Sequence, residues 1–196
     1  MIKGSEKRIA DHPIDPLFLD RWSPRAMTGE TIPTADLMTL LEAARWAPSS
    51  YNNQPWRILY VTRDSSHWQL FFDLLVESNQ VWAKNAGALL LFLSKKTFTH
   101  NGKPSITHSF DTGSAWENVA LQGSLKGYVV HGMQGFDYER ARIDLQVPDD
   151  FQVEAMAAVG CPGSPEVLPE KLQAKEAPSD RRNLAETICE GPFCFR

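Results

Sequence analysis

Apolar residues recur at helical spacing between Thr34 and Trp46: Leu37, Leu40, Leu41 and Ala44 fall at i, i+3, i+4 and i+7 and form one face. This predicts a helix preceded by Pro33, capped by Thr34 and carrying Asp36 at the positive end of its dipole. Pro48 ends it and pushes Ala47 towards an extended conformation. The pattern changes at Trp56–Thr62, where Ile58, Leu59, Tyr60 and Val61 predict a strand. Helical spacing returns over Ser66–Val76, with Trp68, Phe71, Phe72 and Leu75 on one face. Ala88–Ser94 is continuously apolar between Gly87 and Lys95-Lys96, the pattern of a central strand buried on both faces. A long helix is predicted over Ser109–Lys126, closed by Gly127. Its interior Gly113 and Gly123 lack a side chain and allow a backbone or ligand to come close. A strand at Tyr128–His131, a helix at Tyr138–Leu145 and a strand at Val153–Val159 complete the pattern. The mixed order of strands and helices predicts an α+β fold rather than a regular βαβ repeat.

Both ends of the chain are less regular. Residues 1–20 carry charges, Pro13 and Pro16 around one apolar anchor, Leu17-Phe18-Leu19. From Cys161 to Arg196, Pro162, Pro165, Pro169, Pro178 and Pro192 predict an extended arm that wraps a surface, such as that of a partner subunit. A length of 196 residues with 42% hydrophobic residues suits one domain, 1–196, able to bury its own core. The net charge of −4, with no basic stripe, argues against nucleic-acid or membrane-surface partners. The first residues lack the apolar run of a signal peptide, and Ala86–Leu93 is far shorter than the ~20 residues of a membrane span, so cytoplasmic residence is the expectation. Cys161, Cys189 and Cys194 are odd in number and without C-x-x-C spacing, which predicts free thiols and no metal site.

Several chemistries lack their signatures. There is no G-x-G-x-x-G, no G-x-x-x-x-G-K-[ST] and no G-x-S-x-G. His12, His67, His100, His108 and His131 are scattered without metal-ligand spacing, and only His108, near Asp111 and a predicted helix start, stays open as a functional residue. Two segments stand out instead. In Arg21-Trp22-Ser23-Pro24-Arg25, two arginines four apart bracket a serine; planar guanidinium forks and a hydroxyl suit phosphate oxygens, although a solvated basic patch reads the same way. In Pro48–Pro55, prolines brace a loop in which Ser49, Ser50, Asn52 and Gln54 supply donors and acceptors. Such a loop can bond a polar heterocycle, or simply satisfy its own backbone as a rigid turn.

Arg-x-Ser-x-Arg, followed by a helix ending in Ala44-x-x-Ala47-Pro48-Ser49-x-x-Asn52-x-Gln54-Pro55-Trp56 and then a strand, resembles the N-terminal signature of the nitroreductase family. The run from Asp111 through Gly127 is similar to that family's central dimer helix, Val159-Gly160-Cys161-Pro162 to its last core strand, and Arg181–Glu186 to its C-terminal basic motif. The resemblance implies an α+β homodimer with a mixed, mostly antiparallel sheet, a C-terminal arm crossing to the partner, and FMN at the subunit interface. It implies that Arg21, Trp22, Ser23 and Arg25 hold the flavin phosphate, ribityl chain or pyrimidine edge, while Pro48, Ser49, Ser50, Asn52 and Gln54 line the ring, some of them from the other subunit. Asn79 would meet the flavin, Gln134 and Gly135 would bring a backbone N–H near N5, and Arg181 would reach the phosphate.

The chemistry so implied is ping-pong hydride transfer from NADH or NADPH through flavin N5 to a nitroaromatic or quinone, with no protein nucleophile. Relatives with the same fold fragment flavins, remove halogens or dehydrogenate, and a non-catalytic flavin-binding protein or a flavin-free interaction protein are further readings. Two departures bear on the site. The lysine many members carry shortly after the asparagine is replaced here by Trp82, with Lys84 out of register, and Ser179 stands where a lysine often precedes the arginine by two. They imply less positive charge than is typical and leave the flavin potential open.

Overall fold

The computed structural model describes residues 2–195. In chain order the elements are α1 (Pro16–Asp20), α2 (Thr34–Arg45), β1 (Trp56–Thr62), α3 (Trp68–Phe72), α4 (Glu77–Ala83), β2 (Ala88–Lys95), α5 (His108–Leu125), β3 (Val129–Met133), α6 (Tyr138–Asp144), β4 (Phe151–Gly160) and α7 (Glu170–Gln173). The four strands form one antiparallel sheet in the order β1-β2-β4-β3.

β2 lies inside this sheet, and its alternation decides the layering. Ala88, Leu90 and Phe92 face one way and pack with Leu37, Leu40 and Ala44 of α2 and Ala115, Val119 and Ala120 of α5. Leu89, Leu91 and Leu93 face the other way, against Phe71, Leu74, Trp82 and Ala83 around α3 and α4 and Ala141 of α6. Each face of the strand is thus covered by helices, which accounts for the unbroken apolar run from Ala88 to Leu93. Close packing also fixes Gly123: a Cβ there would stand 2.3 Å from Val130 Cγ2, so the residue lets α5 settle onto β3.

Three expectations are corrected. Thr34 does not cap α2; Pro33 occupies the N-cap position and no side chain closes it. The helix predicted over Ser66–Val76 stops at Phe72, because Leu75 leaves the helix to pair with Phe136, and a second helix, α4, then starts at Glu77. Cys189 and Cys194 are joined in a disulfide, with Cα atoms 6.4 Å apart, which leaves Cys161 as the free thiol.

The C-terminal arm is irregular, as its prolines predict, but its first part is anchored on its own chain. Leu168 is buried in the core on the α3–α4 side of the sheet. Glu176, 9% exposed, accepts hydrogen bonds at 2.7 Å from the backbone N–H of both Arg25 and Ala26. No helix among the described residues is long and apolar enough to cross a membrane.

Candidate functional site

The Arg21–Arg25 segment leaves α1 at its C-cap and runs extended towards the sheet. Arg21 donates from Nη1 to Ser23 Oγ at 3.3 Å, and its Nε lies 3.6 Å from Glu117 of α5. Trp22 donates from Nε1 to the Ile2 carbonyl at 2.8 Å, which ties the N-terminal segment to the turn. Arg21, Trp22, Ser23 and Arg25 line a cleft of about 380 Å³ together with Arg8, His131, Lys175, Ala177, Ser179 and Arg181. Arg181, expected at the phosphate, is therefore on the same cleft as Arg21, although the two lie far apart in the chain.

Sequence reasoning missed three of these residues. Arg8 and Lys175 carry no motif, and each reaches the cleft only because a chain terminus folds back on the turn. They also add to the positive charge on this cleft. Trp82 is 1% exposed in the core and offers the site no cation, but five basic side chains, Arg8, Arg21, Arg25, Lys175 and Arg181, surround the cleft. The third missed residue, His131 on β3, has its Nδ1 2.8 Å from the Pro24 carbonyl, between Ser23 and Arg25. A carbonyl only accepts, so Nδ1 carries the proton. The ring packs on Trp82 with centroids 4.6 Å apart. Burial, reinforced by the charge of Arg25 and opposed by the Pro24 bond, pushes the imidazole pKa down to about 4. It is a neutral rivet between the arginine turn and the sheet.

β3 leads from this rivet to the second group of expected residues. Gly135 lies four positions beyond His131, roughly 13 Å along an extended backbone. Its carbonyl accepts from Asn79 Nδ2 at 2.9 Å and from the Val76 N–H at 3.1 Å, so Asn79 and Gly135, 56 residues apart, stand together. Contact is so close that a Cβ on Gly135 would lie 2.7 Å from Asn79 Nδ2. The Gly135 N–H makes no hydrogen bond among the described residues, and Gln134 beside it is exposed.

The Pro48–Pro55 loop lies apart from that cleft, whose lining includes none of its residues. It joins α2 to β1 and is held from three sides. The Ser50 N–H donates to Asp111 Oδ2 of α5 at 3.1 Å, and Ser49 Oγ accepts from the Gln54 N–H at 3.0 Å. Asn53 Oδ1 accepts from the Thr99 N–H at 3.0 Å, while the exposed Tyr51 ring meets Phe98 edge-on at 5.7 Å. Tyr51, Asn52 and Gln54 have φ of 52°, 51° and 47°, in the left-handed region that side-chain-bearing residues rarely occupy. Three such residues in one short loop mark strain that the surrounding bonds sustain. Asn52 and Gln54 bond each other, Nε2 to Oδ1 at 3.1 Å. His108 is accounted for elsewhere: its Nδ1 lies 2.7 Å from Ser94 Oγ, in a cluster with Ser109 and Glu154 at the start of α5.

Comparison with known proteins places the chain in a family. A nitroreductase family model matches residues 19–70, which hold the arginine turn and the polar loop. A solved structure described as an oxidoreductase containing FMN is 48% identical over 100% of both chains, with a TM-score of 0.94. A protein from Desulfovibrio desulfuricans solved in complex with FMN is 23% identical, covering 94% of this chain and 100% of its own, with a TM-score of 0.72. A nitroreductase family protein from Clostridium difficile 630 shares 20% identity over 90% of this chain and 97% of its own, with a TM-score of 0.67. No curated protein matches the sequence. With nearly half of its residues shared with the first of these structures across the whole chain, and with the family's model matching residues 19–70, this chain belongs to the nitroreductase family.

Proposed function

We propose that the chain is an FMN-dependent oxidoreductase of nitroreductase type, working as a homodimer with NADH or NADPH as electron donor. The observation that carries this reading is the convergence of five basic side chains and Ser23 on one cleft, joined through His131 and β3 to the Asn79–Gly135 pair. The donor set suits a phosphate monoester: guanidinium forks and a hydroxyl provide directed donors. Among the described residues Glu117 is the acidic side chain in ion-pair range of a cleft arginine, and Asp180 lies near Arg8, against five basic side chains around the cleft.

In this reading Arg21, Arg25, Lys175 and Arg181 hold the phosphate and Ser23 adds a hydroxyl bond. Asn79 holds Gly135 through its carbonyl, and the unbonded Gly135 N–H would be the donor offered to the flavin ring. Pro48, Ser49, Ser50, Asn52 and Gln54 would line the ring in the site of a second copy, a role that suits a strained loop held rigid by Asp111 and Asn53. Residues 182–195, mostly exposed on their own chain, would extend over that copy. Bound FMN would supply hydride transfer at N5, from the nicotinamide to a nitroaromatic or quinone acceptor. The protein then needs no nucleophile or acid–base pair of its own; it positions the rings and limits water.

Anaerobic mixing of the flavin-loaded protein with NADH or NADPH tests the reaction. Rapid bleaching of the flavin band is expected, and tight FMN binding without reduction would instead make this a flavin-binding protein. Arg21→Ala is expected to weaken FMN binding at least about tenfold, the loss of one charge-assisted hydrogen bond, with riboflavin binding little changed. Fluorescence titration with both flavins checks this; equal FMN affinity in the variant would remove the phosphate from Arg21.

A further inference from the structure

Arg8 holds a different place in the cleft from the other basic residues. It comes from the segment before α1, is 7% exposed, and spends most of its guanidinium on backbone carbonyls. Nε donates to Ser179 at 2.7 Å, and Nη1 donates to Leu19 at 2.9 Å and Arg21 at 2.8 Å. One side chain thus fastens the end of α1, the arginine turn and the C-terminal arm together. Nη2 is left without a bond to the described residues.

Carbonyl dipoles satisfy the geometry of a guanidinium but not its charge. Among the described residues Arg8 takes part in no ion pair. Burial, with Arg181 and Arg21 repelling it and only Asp180 opposing them, pushes its pKa below the ordinary arginine value. A buried cation is normally paired, because an unpaired one loses its hydration without compensation. Arg8 shares the cleft with four more basic side chains, Arg21, Arg25, Lys175 and Arg181, a setting that suits an anionic group.

We propose that Arg8 is a phosphate-binding residue of the flavin site and the latch by which a bound phosphate holds residues 175–181 of the C-terminal arm against the cleft. The proposal rests on the FMN reading and deepens it. An anion bonded to Nη2 relieves the repulsion among Arg8, Arg21 and Arg181, and the Arg8–Ser179 bond carries that gain to the arm. The coupling is reciprocal: a seated arm raises phosphate affinity, and phosphate seats the arm.

Hydrogen exchange across residues 170–188 of the full chain, with FMN, riboflavin or inorganic phosphate, reads the latch directly, and flavin fluorescence reads affinity. FMN is expected to protect the backbone of residues 175–181, and riboflavin is not. Arg8→Gln is expected to lose at least about tenfold of the preference for FMN over riboflavin, together with that protection. An unchanged riboflavin affinity shows that the variant is folded. Gly4→Ala unseats the N-terminal segment while leaving Arg8 intact, since its Cβ would lie 1.7 Å from the Leu19 carbonyl oxygen, and it is expected to weaken both readouts in the same direction. An Arg8→Gln protein that keeps the FMN preference and the arm protection overturns the proposal. A wild-type chain that binds FMN and riboflavin equally also overturns it while leaving a flavin site; one that binds neither flavin removes the FMN reading as well.

Discussion

Lowering the pH from 7 to 4 is expected to cost the folded, flavin-free chain about 3 kcal/mol through His131 alone. The unfolded chain takes up a proton on this imidazole near its ordinary pKa of 6.5, whereas the folded chain resists until about 4. Stability from this residue is therefore complete above 6.5 and is lost progressively as the pH falls between those values. The cause is mainly burial between Trp82 and the arginine turn, aided by the charge of Arg25, and the Pro24 bond opposes it only in part. His131→Asn can still donate to the Pro24 carbonyl but does not titrate. Urea unfolding at pH 7, 5.5 and 4 (roughly the span of the two pKa values) should show a smaller acid loss in the variant than in the wild type. Equal losses in the two proteins would mean that His131 is solvated.

Trp82→Ala is expected to destabilise the protein by about 3–5 kcal/mol, the range for removing a large aromatic side chain from a packed core. The indole is 1% exposed and lies in the core cluster with Phe71, Leu89, Leu91 and Met133, so the vacated volume cannot collapse without moving the sheet. The same variant should raise the His131 pKa from about 4 towards 6.5, because the ring that shields the imidazole is gone. Denaturant midpoints give the first effect and an NMR titration of the imidazole gives the second. A small loss of stability with an unmoved pKa would place Trp82 outside the support of the site.

Much of this site was legible in the chain, and the reasons differ from residue to residue. Arg21, Ser23 and Arg25 could be read because their spacing and their donor chemistry lie within five residues. The strand Ala88–Lys95 could be read because burial on both faces leaves no polar position in it until Ser94. Asn79 and Gly135 were each singled out through resemblance alone, and their hydrogen bond was not foreseen; nothing local says that a helix on one side of β2 will bond the turn after β3. Arg8, Lys175 and Glu176 were not legible, since each acts on a turn between about 13 and 151 residues away, and only packing of the two termini brings them there. The helix break after Phe72 was hidden for a similar reason: Leu75 continues the apolar spacing, but its pairing with Phe136 outweighs local helix preference. The loop at Pro48–Pro55 read correctly as a braced polar turn, while the left-handed backbone at Tyr51, Asn52 and Gln54 is a tertiary effect of Asp111 and the Thr97–Pro104 turn.

The basic cleft and the β3 turn are proposed to form a flavin mononucleotide site. Titrating the flavin-free full chain with FMN while recording the visible spectrum tests it most directly. Saturable binding of one FMN per chain is expected, with perturbed flavin absorbance and quenched fluorescence. A protein that stays colourless after mixing with FMN and desalting would contradict it.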